Sequence, residues 1–367
     1  MDGKVLGESY SGVIDSMLAR DHEKIIYYSD RDSGLKAIVA LHNTVLGPAL
    51  GGTRIMNYAS EEQALSDVLR LSAGMTYKSS VAGLDIGGGK AVIIGNPANV
   101  RTEAVLRKYG RFINTLGGEY ITAEDVNVTV HDVVNMSKET RYVTGMPESF
   151  GGNGDPSVAT AYGTYLGIKA AVKKVYGYDS LNNIKIGVEG VGKVGSLLVG
   201  HLANENAKIF VTDISPDNLK YVTDNYKATV VTLHDFYDLD LDVYAPCALG
   251  GTLNDNVISR LKCKIVAGCA NNQLENIEIH SKLLYDKRII YVPDFVINAG
   301  GVINAYAEFI GNKDVNRINY ETEKIYDTCL TILHESERKN LYPNAVAMDI
   351  ARRRIELVKN AGLSYRL

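Results

Sequence analysis

The spacing of apolar and polar positions changes along the chain, and each change predicts an element. Leu35-Lys-Ala-Ile-Val-Ala-Leu41 is almost unbroken apolar sequence and predicts a buried strand. After Ser60 the period becomes helical, with Ala64, Leu65, Val68, Leu69 and Ser72 on one stripe. Gln63 stands three residues after Ser60, a capping-box pattern for that helix. A strand at Ala91-Val-Ile-Ile94, a helix from Thr102 to Leu116 and a strand at Tyr120-Ile-Thr-Ala123 follow. Beyond the loop Phe150-Gly-Gly-Asn-Gly-Asp-Pro156, Ser157 is placed to cap a helix running to about Lys174. Strand-like runs then recur at 184–189, 207–212, 228–233, 242–248, 264–269 and 289–293, with helical segments between most of them. Further helices are predicted near Ala299, over 320–338 and over 343–360.

Strand–helix alternation in the second half predicts a parallel, doubly wound sheet with right-handed connections. One junction carries chemistry. Gly190-Val191-Gly192-Lys193-Val194-Gly195 follows the run Ile184-Lys-Ile-Gly-Val188 and precedes Ser196-Leu-Leu-Val. Its three glycines permit a sharp turn, close backbone approach to a pyrophosphate and tight helix–sheet packing. The helix N-terminus offers free N–H groups and the positive end of its dipole. Asp213 closes the next strand, where an acid accepts hydrogen bonds from ribose hydroxyls and repels a 2′-phosphate. These features imply a Rossmann-type domain that takes NAD rather than NADP. The alternative is a glycine-rich turn that binds nothing.

At 367 residues the chain is long enough for two domains. The expectation is an α/β protein with a cleft between them. A smaller first domain spans 1–145, with 336–367 crossing back onto it, and the Rossmann-type domain spans 146–335. A net charge of −4 with no long basic run argues against nucleic acid as partner. No apolar stretch is long enough for a membrane span, and MDGKVLGESY carries no signal core, so a cytoplasmic location is expected. The four cysteines show no CxxC spacing and the seven histidines no HxxH pair, so reduced thiols and no metal site are expected.

The first domain holds two lysines in unusual settings. Lys78 sits at the end of the amphipathic helix, and Lys90 follows Gly87-Gly-Gly89 just before an apolar strand. Both are expected to flank a loop of little side-chain bulk, where a small substrate approaches backbone closely. Partial desolvation there lowers a lysine pKa and suits it to general-base work. Asp125, at a strand end, is a partner for proton exchange. Surface lysines and a turn-capping aspartate are the plainer alternative.

These segments resemble the leucine/phenylalanine/valine branch of the Glu/Leu/Phe/Val amino-acid dehydrogenase family. The resemblance rests on PALGGTR at 48–54, GMTYKSSVAGLDIGGGK at 74–90, YITAEDV at 120–126 and TAYG at 160–163. It continues through GVEGVGKVG at 187–195, VAGCANNQL at 266–274 and VPDFVINAGGVIN at 292–304. It is strongest toward the leucine dehydrogenases, with Thr122-Ala-Glu-Asp125 where phenylalanine dehydrogenases tend to have TGxD. It implies NAD-dependent, reversible oxidative deamination of an L-amino acid to its 2-oxo acid and ammonia, in a homo-oligomer.

By resemblance, Lys78 anchors the substrate carboxylate, Lys90 activates the attacking water and Asp125 exchanges protons with the amino group. Gly51 and Gly52 join the substrate side. The turn residues through Ser196, with Asp213, bind the cofactor, and Thr160 holds its nicotinamide amide. Asn271 and Asn272 line the substrate–cofactor junction, or are ordinary turn formers. Leu50, Ala123, Val302 and Ala305 surround the substrate side chain and carry no charge, which points to branched-chain substrates, leucine first, and away from glutamate. Three positions depart from the family pattern. Ala305 replaces a usual Val, Asn127-Val128 a usual Gly-Thr, and Gly89 a usual Ala. The rival expectations are the same chemistry on phenylalanine or tryptophan, and a non-catalytic NAD-binding sensor.

Overall fold

The computed structural model describes residues 12–363, so the N-terminal segment tested above for a signal core lies outside them. Among the described residues no helix is long and apolar enough to cross a membrane. The chain divides into two units. The first runs to Asp155 and takes in Asn304–Lys313 and the stretch from Ala351; the second comprises Pro156–Ile303 and Asp314–Ile350.

The first unit contains α1 (Val13–Leu18), β1 (Lys24–Asp30), β2 (Leu35–Asn43), β3 (Ala49–Met56), α2 (Glu61–Val81), β4 (Gly87–Ile94), α3 (Pro97–Val100), α4 (Glu103–Thr115), β5 (Tyr120–Glu124) and α5 (Val130–Ser137). Its sheet runs β1-β2-β4-β3-β5; β1 and β4 pair antiparallel to β2, and β3 lies parallel to β4 and β5. Because strand side chains alternate between faces, the sheet carries two cores. Ala64, Leu65, Val68 and Leu69 of α2 pack on Ile38, Ala40 and Val92. On the other face, Leu106, Tyr109, Phe112 and Ile113 of α4 pack on Val39, Ala49, Ile55, Ala91 and Ile93. Each fully buried Leu, Ile, Val or Phe among them contributes roughly 1.5–3 kcal/mol.

Two local expectations change. Ser60 caps α2 by accepting from the Gln63 N–H at 3.2 Å, but the Gln63 side chain accepts from Ala59 N–H at 2.8 Å, one residue outside the box. Gly87-Gly88-Gly89 is not a loop before a strand: all three lie inside β4, and so does Lys90. The reason is crowding. A Cβ on Gly88 would stand 2.1 Å from Thr76 N of α2, and one on Gly89 2.9 Å from the Tyr120 ring. The glycines let the strand lie against the helix backbone and a buried ring.

The second unit begins with α6 (Ser157–Tyr176), in which Ser157 is the first helical residue and Pro156 the cap position. There follow β6 (Lys185–Glu189), α7 (Lys193–Asn204), β7 (Lys208–Thr212), α8 (Pro216–Tyr226), β8 (Thr229–Val230), α9 (Leu233–Phe236), β9 (Val243–Pro246), α10 (Asp255–Arg260), β10 (Ile265–Val266), α11 (Ile277–Asp286), β11 (Ile290–Tyr291) and α12 (Asp294–Ile297). The last helices are α13 (Gly300–Phe309), α14 (Val315–Lys339) and α15 (Pro343–Asn360). The six-stranded sheet runs β11-β10-β9-β6-β7-β8 with every pair parallel. Numbered from β6 this is 3-2-1-4-5-6, the doubly wound order of dinucleotide-binding sheets.

The observed division lies later than 145. Residues 146–155 are bonded within the first unit: the Met146 N–H donates to Glu308 Oε1, the Asn153 N–H to Glu308 Oε2 at 3.0 Å, and Asn153 Nδ2 to Asn312 O at 2.9 Å. At the C-terminal end, residues 336–350 cluster with the second unit and the stretch from Ala351 with the first. There the Ser80 hydroxyl donates to Ala351 O at 2.7 Å, and Arg354 donates to Leu84 O and pairs with Asp85.

Candidate active site

Strand alternation gathers the first unit's candidates. Leu50, Gly52 and Arg54 of β3, Gly88 and Lys90 of β4, and Ala123 of β5 share the sheet face that α2 covers. The register sets Leu50 beside Gly88 and Gly52 beside Ala123. Lys78, in the last turn of α2, is on the helix over that face. Gly51 points the other way, and Tyr120 OH donates to its carbonyl at 2.5 Å. A Cβ on Gly51 would stand 1.9 Å from Gly89 O, and one on Gly52 2.3 Å from Glu124 O, so neither tolerates a side chain.

Lys90 and Asp125 meet. Lys90 is buried, and its Nζ lies 2.6 Å from Asp125 Oδ2. Arg54 Nε reaches the same oxygen at 3.3 Å. Burial pushes the Asp125 carboxyl up, but the charges of Lys90 and Arg54 outweigh it, and the group rests below its ordinary range. Arg54 also donates through Nη1 to Asp67 Oδ2 at 3.0 Å. Asp67 further accepts from Tyr58 OH at 2.8 Å and Arg70 Nη2 at 2.9 Å. Burial, then Asp67, raises the Tyr58 phenol. Sequence reasoning missed Arg54, Asp67 and Tyr58. The signal available was the arginine of PALGGTR, two positions after Gly52 on the same strand face.

Asn127 and Val128 have local explanations. Asn127 has φ +61°, in the left-handed region that Asn accepts more readily than most residues, and its Nδ2 donates to Ile55 O at 2.9 Å. Val128 is buried in the core beneath α4.

In the second unit the glycine turn forms as expected. Gly190 has φ +90°, and a Cβ there would lie 2.7 Å from Ala248. A Cβ on Gly195 would lie 2.0 Å from Gly190 O, so the helix sits directly on the turn. At Gly192, the N-cap of α7, a Cβ would meet nothing within 4 Å. The backbone there is open to a ligand. Lys193 is exposed, Val194 half-buried and Val191 buried, while Ser196 donates its hydroxyl to Lys193 O. Asp213 braces this turn: Oδ2 accepts from the Val191 N–H and Oδ1 from the Ser215 N–H, both at 2.7 Å.

Beside the turn, Gly250 approaches Asn271 O so closely that a Cβ would lie 2.6 Å from it. Asn298 Nδ2 donates to Asn271 Oδ1 at 2.8 Å, and Asn272 takes φ +52°. The Thr160 hydroxyl donates to Pro156 O, and a Cβ on Gly301 would come within 2.9 Å of it. Val302 falls in the second unit and Ala305 in the first. Ile214 and Leu249, not singled out from sequence, are 98% and 79% exposed after the strands that flank β6. The residues at this switch point (open backbone, helix N-terminus, bracing acid) fit a dinucleotide.

Residues 22–142 match the model of the Glu/Leu/Phe/Val dehydrogenase dimerisation domain, and residues 211–361 match that of glutamate/leucine/phenylalanine/valine dehydrogenase. The glycine turn lies between the two matches. Leucine dehydrogenase of Thermoactinomyces intermedius is 49% identical over 96% of each chain. That of Geobacillus stearothermophilus is 48% identical over 93% of this chain and 92% of its own. The crystal structure of L-tryptophan dehydrogenase from Nostoc punctiforme superposes with a TM-score of 0.84 at 44% identity, covering 95% of this chain and 99% of that one.

Proposed function

The chain belongs to the Glu/Leu/Phe/Val dehydrogenase family, and from that premise we propose that it carries out NAD-dependent, reversible oxidative deamination of branched-chain aliphatic L-amino acids, leucine first. The observation that carries this proposal is the buried Lys90–Asp125 pair on the sheet face that also bears Leu50, Gly52 and Ala123.

The reaction converts amino acid, NAD and water to 2-oxo acid, ammonia, NADH and a proton. Bound nicotinamide supplies the hydride acceptor; the residues of this chain do the rest. Lys78 pairs with the substrate carboxylate. Leu50, Ala123 and Ala305 receive the aliphatic side chain and offer no cation for a second carboxylate. Lys90 takes the proton of the water that attacks the iminium carbon, after releasing its own to solvent; Asp125, 2.6 Å from Lys90, takes the proton that the substrate ammonium sheds before hydride transfer. Asp125 then delivers a proton to the carbinolamine nitrogen, so that ammonia leaves. On the cofactor side, the open backbone at Gly192 and the N-terminus of α7 take the pyrophosphate, Asp213 takes the ribose hydroxyls and Thr160 the nicotinamide amide. Asp213 disfavours a 2′-phosphate by repulsion. The matched dimerisation domain supports a homo-oligomer, and the expected location is the cytoplasm.

A second substrate class, aromatic amino acids, is favoured by Ala305 and by the tryptophan dehydrogenase relative at 46% identity. The test is NADH appearance at alkaline pH with a panel of L-amino acids, using NAD and then NADP. Leucine, isoleucine and valine should lead, glutamate should fail, and NADP should work far less well. Phenylalanine or tryptophan ahead of leucine by tenfold would select the aromatic alternative. Equal rates with NADP would contradict the role of Asp213.

A further inference from the structure

Arg54 lies between two carboxylates from separate elements. On one side it reaches Asp125, after β5; on the other it reaches Asp67, on α2. Both Asp67 oxygens are engaged, Oδ2 by Arg54 and Tyr58 and Oδ1 by Arg70. The guanidinium is planar and delocalised, so fixing one edge on Asp67 fixes the direction of Nε. Nε then shares Asp125 Oδ2 with Lys90, and Oδ2 is the oxygen that each cation contacts. A carboxylate that exchanges a proton with a substrate nitrogen must present one oxygen in one place. Beside Lys90, a flexible single point charge, and the Val126 backbone N–H, Arg54 is the group that adds a rigid, directional hold on that carboxylate.

We propose that Arg54 is the positioning residue of Asp125. Anchored by Asp67 and Tyr58, it pins Oδ2 and leaves Oδ1 to exchange the proton with the substrate nitrogen. In deamination Oδ1 takes the proton that the substrate ammonium sheds before hydride transfer and returns it to the departing nitrogen; in the reverse direction the same two transfers run backward. The proposal rests on the dehydrogenase assignment above for its kinetic test only. The charged and titratable groups around Asp125 are Lys90 of β4, Arg54 of β3, Asp67 of α2, Tyr58 and Tyr120. Removing the Arg54 charge takes away one of the two cations that hold the Asp125 carboxyl down, so the acid limb of the pH profile moves up.

The test compares Arg54→Met, Arg54→Lys and Asp67→Asn with wild type. Arg54→Met should lose up to about 10²-fold in kcat, the scale of a misplaced catalytic group. The acid limb of its kcat/KM profile should rise by about one pH unit, while NADH binding stays unchanged. Arg54→Lys should restore much of the limb position, and Asp67→Asn should fall between. A second readout needs no activity: Arg54→Met should lower Tm less in an Asp125→Asn background than in wild type. If Arg54→Met does not fold, Arg54→Lys and Asp67→Asn carry both readouts. A folded Arg54→Met with wild-type kcat and pH profile overturns the proposal, as does an equal Tm loss in both backgrounds. Absence of any amino-acid dehydrogenase activity in wild type would overturn the assignment instead, and the Tm comparison would still decide the role of Arg54.

Discussion

His22 and His42 are buried against α2. His22 Nε2 lies 2.8 Å from Ser72 Oγ, His42 Nδ1 lies 2.9 Å from Thr76 Oγ1, and the two rings meet edge to face at 4.8 Å. Burial holds the first down to about 4 and the second to about 3. Both are therefore neutral in the folded protein at pH values where an unfolded chain, with ordinary histidines near 6.5, takes up protons. Above that value they cost nothing. As pH falls from about 6.5 toward 4 the unfolded state gains on the folded one. Tm should drop through that window, and His42→Gln should flatten the drop; a pH-independent Tm between those limits would contradict this. Single residues show where sequence stops being legible. Lys90, Asp125 and the glycines stand in recognisable local strings. Arg54 finds its partners 13 and 71 residues away, and only the closed sheet reveals that it joins them.

Elements with strong periodicity were legible. The stripe of α2, with Ser60 at its start, and the helix at 103–115 stand nearly where the spacing puts them. Strand β3 and the glycine half of β4 were not, because glycine has poor strand propensity and reads locally as a loop. What overrides that preference is tertiary: Gly88 must touch the α2 backbone, and Gly51 must clear β4. Gly88→Ala should therefore displace α2, and Lys78 with it. Overpacking of this kind costs typically about 1–3 kcal/mol, and because the clash is with backbone, substrate KM should rise as well. Wild-type Tm and KM in Gly88→Ala would show that the strand and helix can part freely. The short strands β8, β10 and β11 are narrower than their apolar runs because the neighbouring residues enter turns and caps. At 229–230, for example, the strand ends before Thr232 accepts from Asp235 N–H to cap α9.

At the scale of the molecule, the alternation of strands and helices was enough to anticipate the doubly wound sheet, and its order 3-2-1-4-5-6 puts the glycine turn at the switch point. The unit limits were harder to see, since the residues that settle them are side-chain contacts such as Asn153 to Asn312. Lys90 and the glycine turn belong to different units, so chemistry and cofactor binding should separate on mutation. The most direct test is the initial rate of NADH formation from NAD and L-leucine by Lys90→Ala, with NADH binding measured on the same protein. The expected result is a kcat loss of at least about 10²–10⁴-fold, the range for a general base, with NADH affinity retained. A Lys90→Ala enzyme that turns over L-leucine at close to the wild-type rate would contradict the assignment.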